Sequence, residues 1–153
     1  MSKLIIDANL LLLYVIGFVD NGNHIEKSQR LKKFNKIDFR LLLDILKPFK
    51  EIYVTPYIAT EVSNLIDIKG NVGLEVYDKY QFLLSNILLQ VDANIKDDCR
   101  SEFFIRFGLT DSNLIRLVED YMILTDDDRM CVALYQVNAK NVLQFEVVRN
   151  LNK

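Results

Sequence analysis

The chain has 153 residues, of which 50% are hydrophobic, with a formal charge of −2, two prolines, two cysteines and one histidine. That composition argues against disorder and predicts a single domain over residues 1–153 with a real core. Two cysteines, Cys99 and Cys131, give no disulfide framework and are read as reduced core or near-core residues, and His24, read as a loop residue, is too little for a structural zinc site.

In chain order, Lys3 to Asp7 reads as a strand and Asn9 to Phe18 as a helix. The apolar run from Leu10 to Val19 is too short to span a bilayer and is interrupted at Gly17. Asp7 and the absence of a small-residue cleavage site argue against a signal peptide, so no membrane partner and a cytoplasmic location are expected. The stretch Lys27 to Lys36 carries five basic residues (Lys27, Arg30, Lys32, Lys33 and Lys36) and no acid. Such a run is either a solvated helix face or a surface that contacts RNA phosphates.

A helix is predicted from Phe39 to Lys47, a strand from Glu51 to Thr55 and a helix from Pro56 to Ile68. Thr55 and Pro56 supply the start signals of that last helix. At about 100° per residue with Ile58 at zero, Glu61 falls near −60°, between Leu65 near −20° and Ile68 near −80°. A glutamate there faces the protein body. Further helices are expected over Leu74 to Asn86, Cys99 to Phe107, Asp111 to Asp120 and Asp128 to Asn138. A weak strand is expected near Leu88 to Val91, and stronger ones over Tyr121 to Thr125 and Asn141 to Phe145. Asp111, following Gly108-Leu109-Thr110, lies about 60° from Leu114 and so within the apolar arc of its helix. Phe103, Phe104 and Tyr135 are read as core.

Apolar strands alternating with helical periods predict an α/β fold with a parallel sheet. Ligands of such sheets sit outside the carboxyl ends of the strands. Asp7 and the run Asp126-Asp127-Asp128 fall at two such ends, while Glu61 and Asp111 lie on two inward helix arcs. Taken singly, Asp7, Asp111 and Asp127 are also explicable as N-cap or first-turn acids, and Glu61 as half of a buried salt bridge. One shared divalent cation explains all four together.

These segments resemble the PIN domain family. Leu4-Ile5-Ile6-Asp7-Ala8-Asn9 is similar to its opening strand and Asp-x-Asn element, and Thr55-Pro56-Tyr57-Ile58-Ala59-Thr60-Glu61-Val62 to its helical acid. Gly108-Leu109-Thr110-Asp111 and Ile123-Leu124-Thr125-Asp126-Asp127, followed by Arg129, resemble the last two. The segment from Val19 to Asp38 is longer than in many compact members, and the triple aspartate leaves the last ligand open among Asp126, Asp127 and Asp128. The resemblance implies a PIN-like α/β/α sandwich with a central, mainly parallel sheet. It also implies a Mg²⁺- or Mn²⁺-dependent ribonuclease, as in many toxins that pair with an antitoxin protein, and by analogy a homodimer.

In that reading Asp7, Glu61, Asp111 and Asp127 are catalytic metal ligands, with Asp126 as a further ligand. Asn9, Thr125 and Asp128 support them, and Lys27, Arg30, Lys32, Lys33, Lys36 and Arg129 contact RNA. The alternative is a non-catalytic PIN-like module that binds RNA or protein.

Overall fold

The structure is a computed structural model that describes residues 3–153. Five parallel strands form one sheet: β1 (Lys3–Ile6), β2 (Glu51–Val54), β3 (Leu89–Gln90), β4 (Met122–Thr125) and β5 (Val142–Gln144). Their spatial order is β3-β2-β1-β4-β5. The chain therefore builds outward from β1 in one direction, then returns to place β4 on the other side of β1. That reversal makes the β1–β4 boundary the topological switch point, where a crevice opens at the carboxyl ends of the strands.

Among the described residues, eight α-helices connect and flank the strands: α1 (Ala8–Phe18), α2 (Lys36–Leu46), α3 (Pro56–Leu65), α4 (Gly70–Asn86), α5 (Ile95–Cys99), α6 (Phe104–Leu117), α7 (Asp128–Asn138) and α8 (Phe145–Leu151). The first of these packs against α2, α3 and α4, whereas α6 packs against α5 and α7. The result is an α/β/α sandwich, as the resemblance implies, around an all-parallel sheet, as the hydrophobic pattern predicts.

The helix α1 is apolar all round, and Leu10, Leu11, Leu12, Leu13, Val15 and Ile16 are wholly buried. A helix of that composition is stable only when wrapped on every side. Each fully buried leucine contributes about 2 kcal/mol of apolar burial. Gly17 lets α2 come close, because a Cβ there would collide with the Phe39 ring. No helix among the described residues is long and apolar enough to cross a membrane.

Several expected elements differ. The predicted helix over Cys99 to Phe107 is absent as such: α5 ends at Cys99, and α6 begins at Phe104 and breaks at Gly108 (φ 80°, ψ −174°). The third helix stops at Leu65 instead of Ile68, and α4 starts four residues early, at Gly70. An eighth helix was not foreseen, since β5 passes straight into α8 at Phe145 without a turn residue. Cys131 is buried, but Cys99 is on the surface, and both are free thiols. Tyr135 is exposed, contrary to its core reading, and its hydroxyl donates to Gln144 Oε1. His24 lies in a turn between two short 3₁₀ segments.

Candidate functional site

Asp7 caps α1 from the end of β1, as strand-to-helix geometry favours. Its Oδ1 accepts from Ala8 N at 2.7 Å and its Oδ2 accepts from the Thr125 hydroxyl at 2.7 Å. The second bond crosses the switch point from β4 to β1. Thr125 is wholly buried, and its oxygen also accepts from Asp127 N at 3.0 Å. One threonine thus fixes the carboxylate of Asp7 and the backbone entering α7. Asp127 caps that helix, accepting from Met130 N at 3.0 Å. Capping therefore describes both aspartates, yet it does not account for the company they keep.

Burial, with the nearby charges of Asp126 and Glu61, pushes the Asp7 carboxyl up to about 6, although its hydrogen bonds to Thr125 and Ala8 pull the other way. Asp111 is pushed up to about 7, again by burial first and then by Asp7, Asp127 and Glu61, with Arg129 opposing. The four acids singled out from sequence are therefore electrostatic neighbours. Glu61 is half-buried on α3, and Asp111 is half-buried in the first turn that follows Gly108. Both line a groove of about 620 Å³ between α3 and α6.

The neighbours of Asp127 separate cleanly. Asp126 is buried, and its Oδ2 sits 2.8 Å from the Lys33 ammonium without the alignment of a directional hydrogen bond. Asp128 is exposed and accepts from Gln144 Nε2 at 2.6 Å, which turns it toward β5. Asn9 is half-buried in the first turn of α1.

Between Lys27, which ends a 3₁₀ segment, and Lys36, which opens α2, the basic stretch is a series of turns and not the helix face of its alternative reading. Leu31 and Phe34 anchor it in the core, Phe34 edge-on to Phe145. Asp67 accepts from Gln29 N and Arg30 N, and Arg149 donates to Lys33 O at 2.7 Å. Lys27, Arg30, Lys32 and Lys36 are exposed, while Lys33 reaches the acidic group. Arg129 stands over the Phe107 ring at 5.0 Å and donates to Arg106 O.

Two further buried acids went unnoticed in the sequence. Asp98 accepts from the Tyr57 hydroxyl at 2.8 Å and from Asn113 Nδ2, and pairs with Arg116 Nε at 3.5 Å. Asp38 pairs with Arg149 Nε at 2.8 Å and closes the capping box of α2. Asp38 carried a local signal in the Asn35-x-x-Asp38 capping box, whereas the partners of Asp98 and the Arg149 partner of Asp38 come from distant segments.

Among the described residues, no three His, Cys, Asp or Glu side chains are arranged to hold a metal ion as they stand. The donor chemistry nevertheless fits a hard cation. All the ligating atoms on offer are carboxylate oxygens, and burial with the charges of neighbouring acids raises the proton affinity of Asp7 and Asp111, while Asp126 Oδ2 is already ion-paired with Lys33.

No family model matches the chain, and no curated protein is significantly similar to it. Fold and site together define the class: an α/β/α protein whose acidic cleft lies at the switch point of a parallel sheet.

Proposed function

We propose that the protein is a Mg²⁺- or Mn²⁺-dependent ribonuclease of the PIN type, acting in the cytoplasm on RNA phosphodiesters. The observation that carries this reading is the buried Asp7, hydrogen-bonded across the switch point to Thr125 and surrounded by carboxylates. Carboxylates that raise one another's proton affinity are poor stabilisers of a fold and good ligands for a hard cation.

Asp7, Glu61, Asp111 and Asp127 would hold the ion, with Asp126 beside them. When bound, such a cation lowers the pKa of a water and stabilises charge on a phosphate. The chain's own residues do the positioning. Thr125 donates to Asp7 and accepts from Asp127 N, so the two acids are set by one hydroxyl. The pinned turns carry Lys33 to the cleft, where its ammonium can meet a phosphate oxygen, with Lys27, Arg30, Lys32 and Lys36 exposed nearby in sequence. Arg129, whose charge reaches Asp111, would take the same task. Pairing with an antitoxin protein and self-association into a homodimer belong to the same reading, through the family resemblance alone.

A non-catalytic PIN-like module that binds RNA or protein is the second reading. It is favoured by the Lys33–Asp126 pair, in which the chain supplies a cation of its own to the cleft. Cleavage of a mixed RNA panel in Mn²⁺, Mg²⁺ and EDTA separates the two. Metal-dependent cleavage by the wild type that is lost in Asp7→Asn supports the nuclease; no cleavage in any condition, together with tight RNA or protein binding, supports the module.

A further inference from the structure

We propose that the cavity between α5, α6 and α7 binds a short aliphatic diamine or polyamine cation. None of the four acids of the cleft lines it, and the inference does not depend on the ribonuclease reading. The cavity holds about 470 Å³, within the roughly 300–1,000 Å³ range of small-ligand clefts. Ser112, Ile115, Arg116 and Glu119 build one wall at i, i+3, i+4 and i+7, a single face of α6 continued into the turn beyond Leu117.

That wall carries an unanswered polar group. Ser112 is 1% exposed, and its hydroxyl oxygen has no hydrogen-bond partner in the chain. Buried hydroxyls are costly to leave unpaired and are rarely left so. On the wall of a cavity, such a group points to a ligand.

Charge decides which ligand. Arg116 is already committed, its Nε 3.5 Å from Oδ1 of the buried Asp98. Asp97, Glu102 and Glu119 also line the cavity and form no ion pair among the described residues, and Arg100 alone opposes them. The uncommitted charge on the walls is therefore negative, which repels an anion and draws in a cation.

The spacing of the acids selects the shape of that cation. Glu119 lies about 10 Å of helix rise beyond Ser112, while Asp97 stands on α5 and Glu102 in the turn after it. Among the described residues no three such groups converge on one point to hold a metal ion. Dispersed carboxylates suit dispersed charge, as on ammonium groups joined by methylenes. Phe103, Ile115 and Val137 offer apolar surface to the methylenes, and the Ser112 oxygen can accept from an ammonium N–H.

The test titrates putrescine and spermidine calorimetrically into the metal-free full chain at low ionic strength, with 1,4-butanediol as the uncharged analogue. The wild type is compared with Glu102→Gln/Glu119→Gln and with Ser112→Ala. Glu75→Gln, exposed on α4, is the surface control, and Asp7→Asn removes a charge from the acidic cleft. Thermal melts report folding. The wild type should bind both amines saturably and the diol not at all. The double variant should bind about fivefold more weakly or worse, since two screened ion pairs are lost.

Ser112→Ala should weaken binding by a few-fold without lowering the melting temperature, because it removes an orphaned hydroxyl. Glu75→Gln and Asp7→Asn should bind as the wild type does. No saturable binding by the wild type, or wild-type affinity in both the double variant and Ser112→Ala, overturns the proposal. Loss of binding in Asp7→Asn with none in the double variant overturns it too, by placing the amine in the acidic cleft. RNA cleavage is read in neither arm, so the ribonuclease reading stands or falls separately.

Discussion

Asp98 and Asp7 are both buried acids, and their surroundings differ in kind. Asp98 has a tyrosine hydroxyl, an asparagine amide and an arginine, and Asp38 likewise has Arg149. Asp7 has one threonine hydroxyl and one backbone amide, and then more carboxylates. A buried charge with a complementary cation is part of the scaffold. One surrounded by its own sign raises the energy of the folded chain and points to a ligand. Burial alone does not separate the two; the identity of the neighbours does.

The largest effect that tests this contrast is on catalysis. Asp7→Asn should lower RNA cleavage by at least about a hundredfold, since it removes a central cation ligand. The same variant should melt higher than the wild type without metal, because asparagine still caps α1 and carries no charge. Cleavage assays and melts in EDTA read both.

Asp98→Ala should do the reverse. Leaving Arg116, Tyr57 and Asn113 without their acceptor should cost about 2–4 kcal/mol of stability, read by urea unfolding, with Mn²⁺ affinity unchanged in the folded fraction. If Asp98→Ala stabilised the chain, the distinction between the two kinds of acid would collapse.

The contrast also has a pH signature. Asp7 and Asp111 bind protons more tightly in the folded chain than at the ordinary value of 3.8, at about 6 and about 7. Between those limits the folded state holds more protons than the unfolded one, so stability falls as pH rises. The penalty is absent below pH 3.8, grows through the window and is complete above about 7. Urea midpoints of the metal-free protein should therefore fall across that range by about 1–3 kcal/mol equivalent, and the fall should shrink in Asp7→Asn.

The smallest expected effect concerns Lys33. Lys33→Met removes a positive charge 2.8 Å from Asp126 and should tighten Mn²⁺ binding by a few-fold while weakening metal-free RNA binding. Unchanged values for both would place Lys33 outside the site.

Much of the contrast was legible before the fold. Asp7 and Asp127 follow apolar strands, so their place at strand ends could be read from hydrophobic runs. Glu61 and Asp111 could be placed on inward arcs because helix period is a local property. Lys33 looked like one of five equivalent bases, since its pairing with Asp126 depends on where a long series of turns is pinned. Asp98 was invisible for the same reason: Tyr57, Asn113 and Arg116 converge on it from two other helices. The eighth helix was missed because no glycine or proline marks its junction with β5. Local periodicity carries elements and faces; long-range pairing decides which acids are neutralised.

The most direct test of the acidic cleft is calorimetric titration of Mn²⁺ into wild type and Asp7→Asn, repeated in two buffers of different protonation enthalpy near neutral pH. Asp111, and in part Asp7, holds protons there, so binding should release them and the measured heat should depend on the buffer. The account predicts buffer-dependent binding in the wild type and severe weakening in Asp7→Asn. Absence of binding in the wild type, or equal binding by both proteins, would contradict it.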